Sequence, residues 1–234
     1  VVFSVPMRVR RTDYEEYVMS RIVSSSMLVL ALGAAVLGQA GTARCEEAVP
    51  AKTVAATEVR STADPDFHPV QEPLPVKPPE GAIVLFGDGS EGAPKFTAMD
   101  GGPIDWNVED GTLFMNQSKG HANHILSKEM FRDADIHAEF MTVKKARGNS
   151  GLYIHGLYEM QILNSFGVEP PTIEDEGALY RFAKPLVNAA RPVGEWQVYD
   201  IRYTAPRRGE DGKVTTPGRI TAWLNGKLVQ DGVE

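Results

Sequence analysis

The sequence predicts an all-β fold, a jelly-roll β-sandwich of the concanavalin type, and three observations carry that prediction. Among 234 residues there are 22 Gly and 16 Pro, a density of chain-reversing residues that suits many short strands joined by turns. Two dipeptides that supply the positive φ angles of tight hairpins, Asp110-Gly111 and Asn225-Gly226, each stand between apolar or alternating runs. After residue 81 no segment sustains a 3.6-residue apolar period, and the one weak instance runs from Ala178 to Ala183.

The elements follow in chain order. Residues 1–18 precede Met19, which makes a better start, and the reading sets them aside from the fold as a mis-assigned translation start. Met19 to Ala43 has the three-part plan of a secretory signal peptide: a basic start at Arg21, an apolar core from Met27 to Leu37, then small residues. That core is about a dozen residues, short of the roughly 20 that span a bilayer, so the expectation is a secreted or periplasmic protein with no stable membrane span. Cys45 lies close behind, but Arg44 stands where a lipidated cysteine wants a small neighbour. Residues 44–80 carry Pro65, Pro69, Pro73, Pro75, Pro78 and Pro79 without apolar periodicity and read as an extended tether.

Residues 81–234 are the folded domain. Gly81 to Phe86 reads as a buried strand, Trp106 to Met115 as a hairpin about Asp110-Gly111, and Ile136 to Val143 as an alternating strand. Leu152 to Ile154 and Tyr158 to Leu163 flank a turn at Gly156, Val198 to Tyr203 alternates again, and Ile220 to Val229 turns at Asn225-Gly226.

Charge and cysteine content narrow the function. Twenty-four basic against 31 acidic residues leave a net charge of −7, which argues against nucleic acid as a partner. A single cysteine excludes an internal disulfide, a CxxC redox pair and a Cys-rich zinc site.

The most informative stretch is Gly148-Asn-Ser-Gly-Leu-Tyr-Ile-His-Gly-Leu-Tyr-Glu-Met-Gln-Ile-Leu-Asn-Ser165. On a strand from Tyr158 to Asn164, Tyr158, Met160 and Ile162 share one face and Glu159 and Gln161 the other. The preceding strand can present His155, Tyr153 or Asn149 beside that pair, which assembles a carboxylate, an amide and an imidazole. Strand parity alone equally fits Glu159 and Gln161 facing solvent. Elsewhere, His121 and His124 lie three apart in a loop with no third ligand in view, and Gly87 to Gly92 lacks the lysine and helix of a phosphate cradle. Asn116-Gln-Ser118 is a formal glycosylation acceptor. Trp106, Trp196 and Trp223 fit either a core or a sugar-stacking surface.

Val84-Leu-Phe-Gly-Asp88, Trp106-Asn-Val-Glu-Asp-Gly-Thr-Leu113, Gly148-Asn-Ser-Gly151, Tyr158-Glu-Met-Gln-Ile-Leu163, Gly194-Glu-Trp196 and Trp223-Leu-Asn-Gly226, in this order, resemble the 3-keto-disaccharide hydrolase domain family. The resemblance implies an exported glycoside-processing hydrolase acting on sugars whose carbon 3 is already a ketone, by proton abstraction at carbon 2 and loss of the carbon 1 substituent. On that basis Glu159 is expected as general base or metal ligand, Gln161 as a donor orienting the sugar and His155 as a proton shuttle or ligand. Asn149, Tyr153, Tyr180 and Asn164 are expected as substrate contacts, with a divalent metal as a further option. The expected partners are an oligosaccharide or glycoside substrate and an upstream glycoside 3-dehydrogenase, since nothing here resembles a dinucleotide fingerprint. The family usually shows Asp where this chain has Asn164. Its members also continue past the position of Glu234 through strands that supply a site histidine, so the jelly roll is expected to lack its last strands, with activity of the chain as given in question. The alternative function is a non-catalytic carbohydrate-binding module on the same fold. A two-carboxylate glucanase is disfavoured because Gln161 stands where the second carboxylate belongs.

Overall fold

The computed structural model describes residues 2–4, 6–8, 74–79, 81–87, 95–115, 124–143 and 148–234. These are strands and turns without helix. In chain order they form β1 (Val2–Ser4), β2 (Pro6–Arg8), β3 (Ile83–Val84), β4 (Phe96–Ala98), β5 (Asn107–Glu109), β6 (Thr112–Phe114), β7 (Ile125–Ser127) and β8 (Ala134–Met141). They continue as β9 (Ser150–Ile154), β10 (Tyr158–Ile162), β11 (Trp196–Thr204), β12 (Arg207–Arg208), β13 (Val214–Thr216), β14 (Arg219–Leu224) and β15 (Lys227–Val233). The main sheet runs β15-β14-β11-β8-β1-β6-β5, with β2 joining β8 to β3, and β9 pairs with β10 in a second sheet.

Alternation decides what each strand buries. On β8, Ala134, Ile136, Ala138 and Phe140 enter the core, where they meet Tyr199, Ile201 and Tyr203 of β11 and Ile220, Ala222 and Leu224 of β14. Phe140 stacks on Tyr199 with ring centroids 5.2 Å apart. Ile154 of β9 and Met160 and Ile162 of β10 close the same core from the second sheet. Two apolar faces are buried against each other, the defining contact of a β-sandwich.

Both hairpins announced by the sequence are present, with Asp110 and Gly111 at φ 49° and 70° and Asn225 and Gly226 at 52° and 77°. The hint of helix at Ala178 to Ala183 gives way to a tight reversal in which Leu179 bridges both Met160 and Ala183. Leu179 is needed in the core, and pairing beside β10 puts it there. Trp223 is buried, while Trp106 packs partly buried against the core, so neither is an open stacking surface.

The amino-terminal stretch set aside from the fold does contribute to it. β1 and β2 pair antiparallel with β8, and β1 pairs also with β6. An eight-residue strand with a free edge offers a row of unpaired amides and carbonyls, and extended backbone satisfies them regardless of its side chains. The leader over residues 19–43, Cys45, the tether up to residue 73, His121 and the acceptor at Asn116 lie outside the described residues.

Candidate active site

β9 and β10 are antiparallel, with Glu159 opposite Tyr153 and Gln161 opposite Gly151. The residues between them in sequence face the core, so these four share the outer surface of the second sheet. A third segment extends the row. The amide of Gln161 donates to Ala178 O, that of Tyr180 donates to Glu159 O, and Leu179 lies across from Met160, so Tyr180 flanks Glu159 on the side away from Tyr153.

Glu159 is aimed rather than loose. Tyr153 Oη donates to its Oε2 at 2.7 Å. Desolvation, then the hydrogen bond and charge of Glu159 and the nearby Tyr180, push the Tyr153 hydroxyl up to about 12, which keeps it a donor at neutral pH. The rest of the Glu159 side chain crosses Gly151: a Cβ there would sit 2.2 Å from Oε1 and 2.5 Å from Cγ. The second glycine of the Gly148-Asn-Ser-Gly151 motif is therefore the space the carboxylate occupies.

Gln161 is buried on the same row. Its Nε2 donates to Asn149 Oδ1 at 3.3 Å and to Glu174 O at 3.1 Å, and its Oε1 has no protein partner. The sequence leads one to expect a donor to the sugar; in the fold both amide hydrogens are engaged within the protein, and the oxygen is the function left without a protein partner. The segment bearing Glu174 is fixed by Asp175, whose Oδ2 accepts from both Thr172 N and Thr172 Oγ1 at 2.7 Å.

The imidazole that stands beside Tyr153 is not the one expected there. His155 sits in the β9–β10 turn at φ 53°, where its Nε2 contacts Phe131 O at 2.8 Å and its Nδ1 the Tyr203 hydroxyl at 3.2 Å. Its ring lies edge-on to Tyr203, a core residue, so the left-handed turn rotates it out of the row that period-two counting assigns. His124 instead approaches: its ring stands edge-on to Tyr153, with centroids 6.0 Å apart. Strand parity could not find it, because β7 and β9 are separated by the whole of β8 in sequence. Asn164 is exposed beyond the end of β10.

Behind the row stands an acid that the sequence reading passed over. Glu176 is 1% exposed, and neither of its carboxyl oxygens nor Gln197 Nε2 completes a hydrogen bond. Burial pushes its carboxyl up to about 8, against a weaker downward pull from Gln197. Next to it, Gly177 N donates to the Tyr199 hydroxyl at 2.7 Å, and that hydroxyl donates to Gln161 O. Among the described residues no three His, Cys, Asp or Glu side chains converge as metal-ion ligands. A separate cavity of about 390 Å³ opens beyond the carboxyl end of β10, between Phe166, Asn188, Arg191 and Lys227.

A carboxylate held by a neutral donor, a buried amide acceptor and two flanking phenols can grip a polyol and remove a proton from it. Comparison with known proteins points to a glycoside-processing, hydrolase-like protein. The chain is similar to the crystal structure named "putative glycosyl hydrolase" from Parabacteroides distasonis ATCC 8503, with 33% identity and a TM-score of 0.60, over 70% of this chain and 76% of that one. No curated protein matches it. Residues 81–234 match the 3-keto-alpha-glucoside-1,2-lyase-like domain, and the chain belongs to that family.

Proposed function

We propose that this protein cleaves glycosides whose carbon 3 carries a ketone, with Glu159 as the base. The observation that carries the reading is the aimed carboxylate: Oε2 bound by Tyr153 of the neighbouring strand, the side chain laid across Gly151, and Tyr180 of the reversal on its other side. The ketone acidifies the hydrogen on carbon 2. Glu159 takes it as a proton, the C–H pair becomes the C2–C3 double bond, and the carbonyl oxygen becomes an enolate. When the ketone re-forms, a C1–C2 double bond appears and the carbon 1 substituent leaves with its bonding pair. We assign its proton to His124, the imidazole beside Tyr153. Water then adds at carbon 1 and a proton returns to carbon 2, so the sum is hydrolysis without net redox change.

Each neighbour has a task in this scheme. Tyr153 orients the base and stays protonated, Gln161 Oε1 accepts from a sugar hydroxyl, and Tyr180 walls the other side of Glu159. The ketone has to come from an upstream oxidoreductase, and the leader read over residues 19–43 fits work outside the cytoplasm. The test is release of a chromogenic aglycone from a 3-keto-glucoside and from the parent glucoside by the full chain. Release from the keto compound alone is the expected result. Release from the parent at an equal rate overturns the reading, and so does sugar binding with no release from either.

A further inference from the structure

Arg181 follows Tyr180 in the tight reversal beside β10 and holds a left-handed backbone, φ 59°, where glycine is the default residue. Left-handed conformation in a long side chain is strained, and such strain persists where surrounding contacts enforce it, most often at functional sites. Here the backbone pairing of the reversal enforces it, and two side-chain contacts place the guanidinium. Arg181 N donates to Ile173 O at 2.9 Å, and Leu179 pairs with Ala183 across the reversal. The guanidinium lies 5.1 Å from the centre of the Tyr180 ring, and its Nε is 3.5 Å from Glu174 Oε1.

Those contacts tie Arg181 to the site from two sides. Tyr180 is the residue hydrogen-bonded beside Glu159, and Glu174 is the residue whose carbonyl holds Gln161. The ion pair itself is weak, because both side chains are more than half exposed and water screens them. A substrate oxygen that gathers negative charge can therefore take the place of Glu174 without a large penalty.

We propose that Arg181 is a substrate-binding residue whose guanidinium receives the carbon 3 oxygen of a keto sugar as that oxygen becomes an enolate. The inference rests on the reading of Glu159 as the base that creates the enolate. A planar fork of N–H donors suits an oxyanion, and a cation preset over an aromatic ring needs little rearrangement when the charge develops.

The experiment compares Arg181→Gly, Arg181→Lys and the unsubstituted full chain on a chromogenic 3-keto-glucoside, with Tm measured on each. Arg181→Gly is expected to raise Tm by roughly 2–4 °C, since glycine adopts this backbone without strain. It is also expected to lower kcat by about 10²-fold with KM little changed, the mark of an interaction made in the transition state. Arg181→Lys is expected to recover part of that loss, because it keeps the charge without the fork. Methylguanidinium added to Arg181→Gly is expected to restore some turnover. A raised Tm with unchanged kcat overturns the role of Arg181 and leaves that of Glu159 standing. An unsubstituted chain that turns over no keto sugar overturns both.

Discussion

Two polar clusters built around carboxylates lie on outer sheet faces of this molecule and have opposite fates. On the main sheet, Glu139 and His137 of β8 meet Asp200 of β11, with His137 Nδ1 at 2.7 Å from Asp200 Oδ1 and Nε2 at 3.3 Å from Glu139 Oε1. Val76 N donates to the same Glu139 oxygen, so a stretch of the Pro-rich tether lies against this cluster. Burial pulls the imidazole down, but the hydrogen bonds and charges of Asp200 and Glu139 outweigh it and hold His137 at about 9. At neutral pH the cluster is a cation donating to two anions, with its polar capacity consumed inside the protein.

The second sheet uses the same chemical types differently. Glu159 has a neutral donor instead of a cation, Gln161 keeps an unused acceptor, and the surface above them stays partly open. A buried carboxylate satisfied by charge is costly to unpair and has nothing left for a substrate. A carboxylate oriented by one phenol keeps its second oxygen for a proton. Residue type does not separate the two clusters; the fate of each lone pair does.

The comparison predicts effects that differ in kind as well as in size. The largest is on turnover: Glu159→Gln removes the base, and we expect kcat on a 3-keto-glucoside to fall roughly 10³–10⁴-fold with the urea midpoint unchanged. Midpoint and rate falling together would mean that Glu159 is a structural residue like Glu139.

Next comes His137→Leu, which leaves Asp200 and Glu139 without their shared cation and should destabilise by about 3–5 kcal/mol in urea titrations, with turnover per folded molecule retained. The pH dependence carries its own sign. A folded value near 9 against 6.5 unfolded means that the contribution of His137, about 3 kcal/mol, is complete below pH 6.5 and is lost as pH rises through 9. Unfolding free energies measured from pH 6 to 10 should fall in the unsubstituted chain and run flatter in His137→Leu.

Glu176 sharpens the contrast from a third position, a buried acid with no cation beside it to offset its burial and only the neutral Gln197 amide pulling on it. Its carboxyl titrates near 8 in the fold, so the protonated form carries no penalty below pH 4.5, and stability is lost as pH rises toward 8 at about 1.4 kcal/mol per unit. Glu176→Gln is therefore expected to be neutral at pH 4.5 and to raise Tm at pH 8.5. An equal shift at both pH values would assign the effect to packing instead of ionisation.

The smallest expected effect belongs to His155→Asn. Asparagine tolerates the left-handed turn, and the imidazole faces Phe131 and Tyr203, so kcat should change by less than about 3-fold. A loss of the size expected on removing Glu159 would return His155 to the site.

The sequence by itself determined the sandwich. Period-two alternation in β8, β10 and β11 fixes which side chains enter the apolar core, because one face of each strand has to leave water, and the two hairpin dipeptides fix where the chain reverses. It also determined that Glu159 and Gln161 share a face opposite Met160 and Ile162, which follows from parity alone. Only tertiary structure decided the rest. The partner of Glu159 depends on register between strands, and register brought Tyr153 across from it and left Gly151 as the space beneath its side chain. A left-handed turn removed His155 from the row that counting gave it, and packing between segments distant in sequence brought His124 and Tyr180 in. Alternation is local, enforced by each residue's own geometry. Which lone pairs remain free depends on every strand that folds against them, and no single strand carries that information.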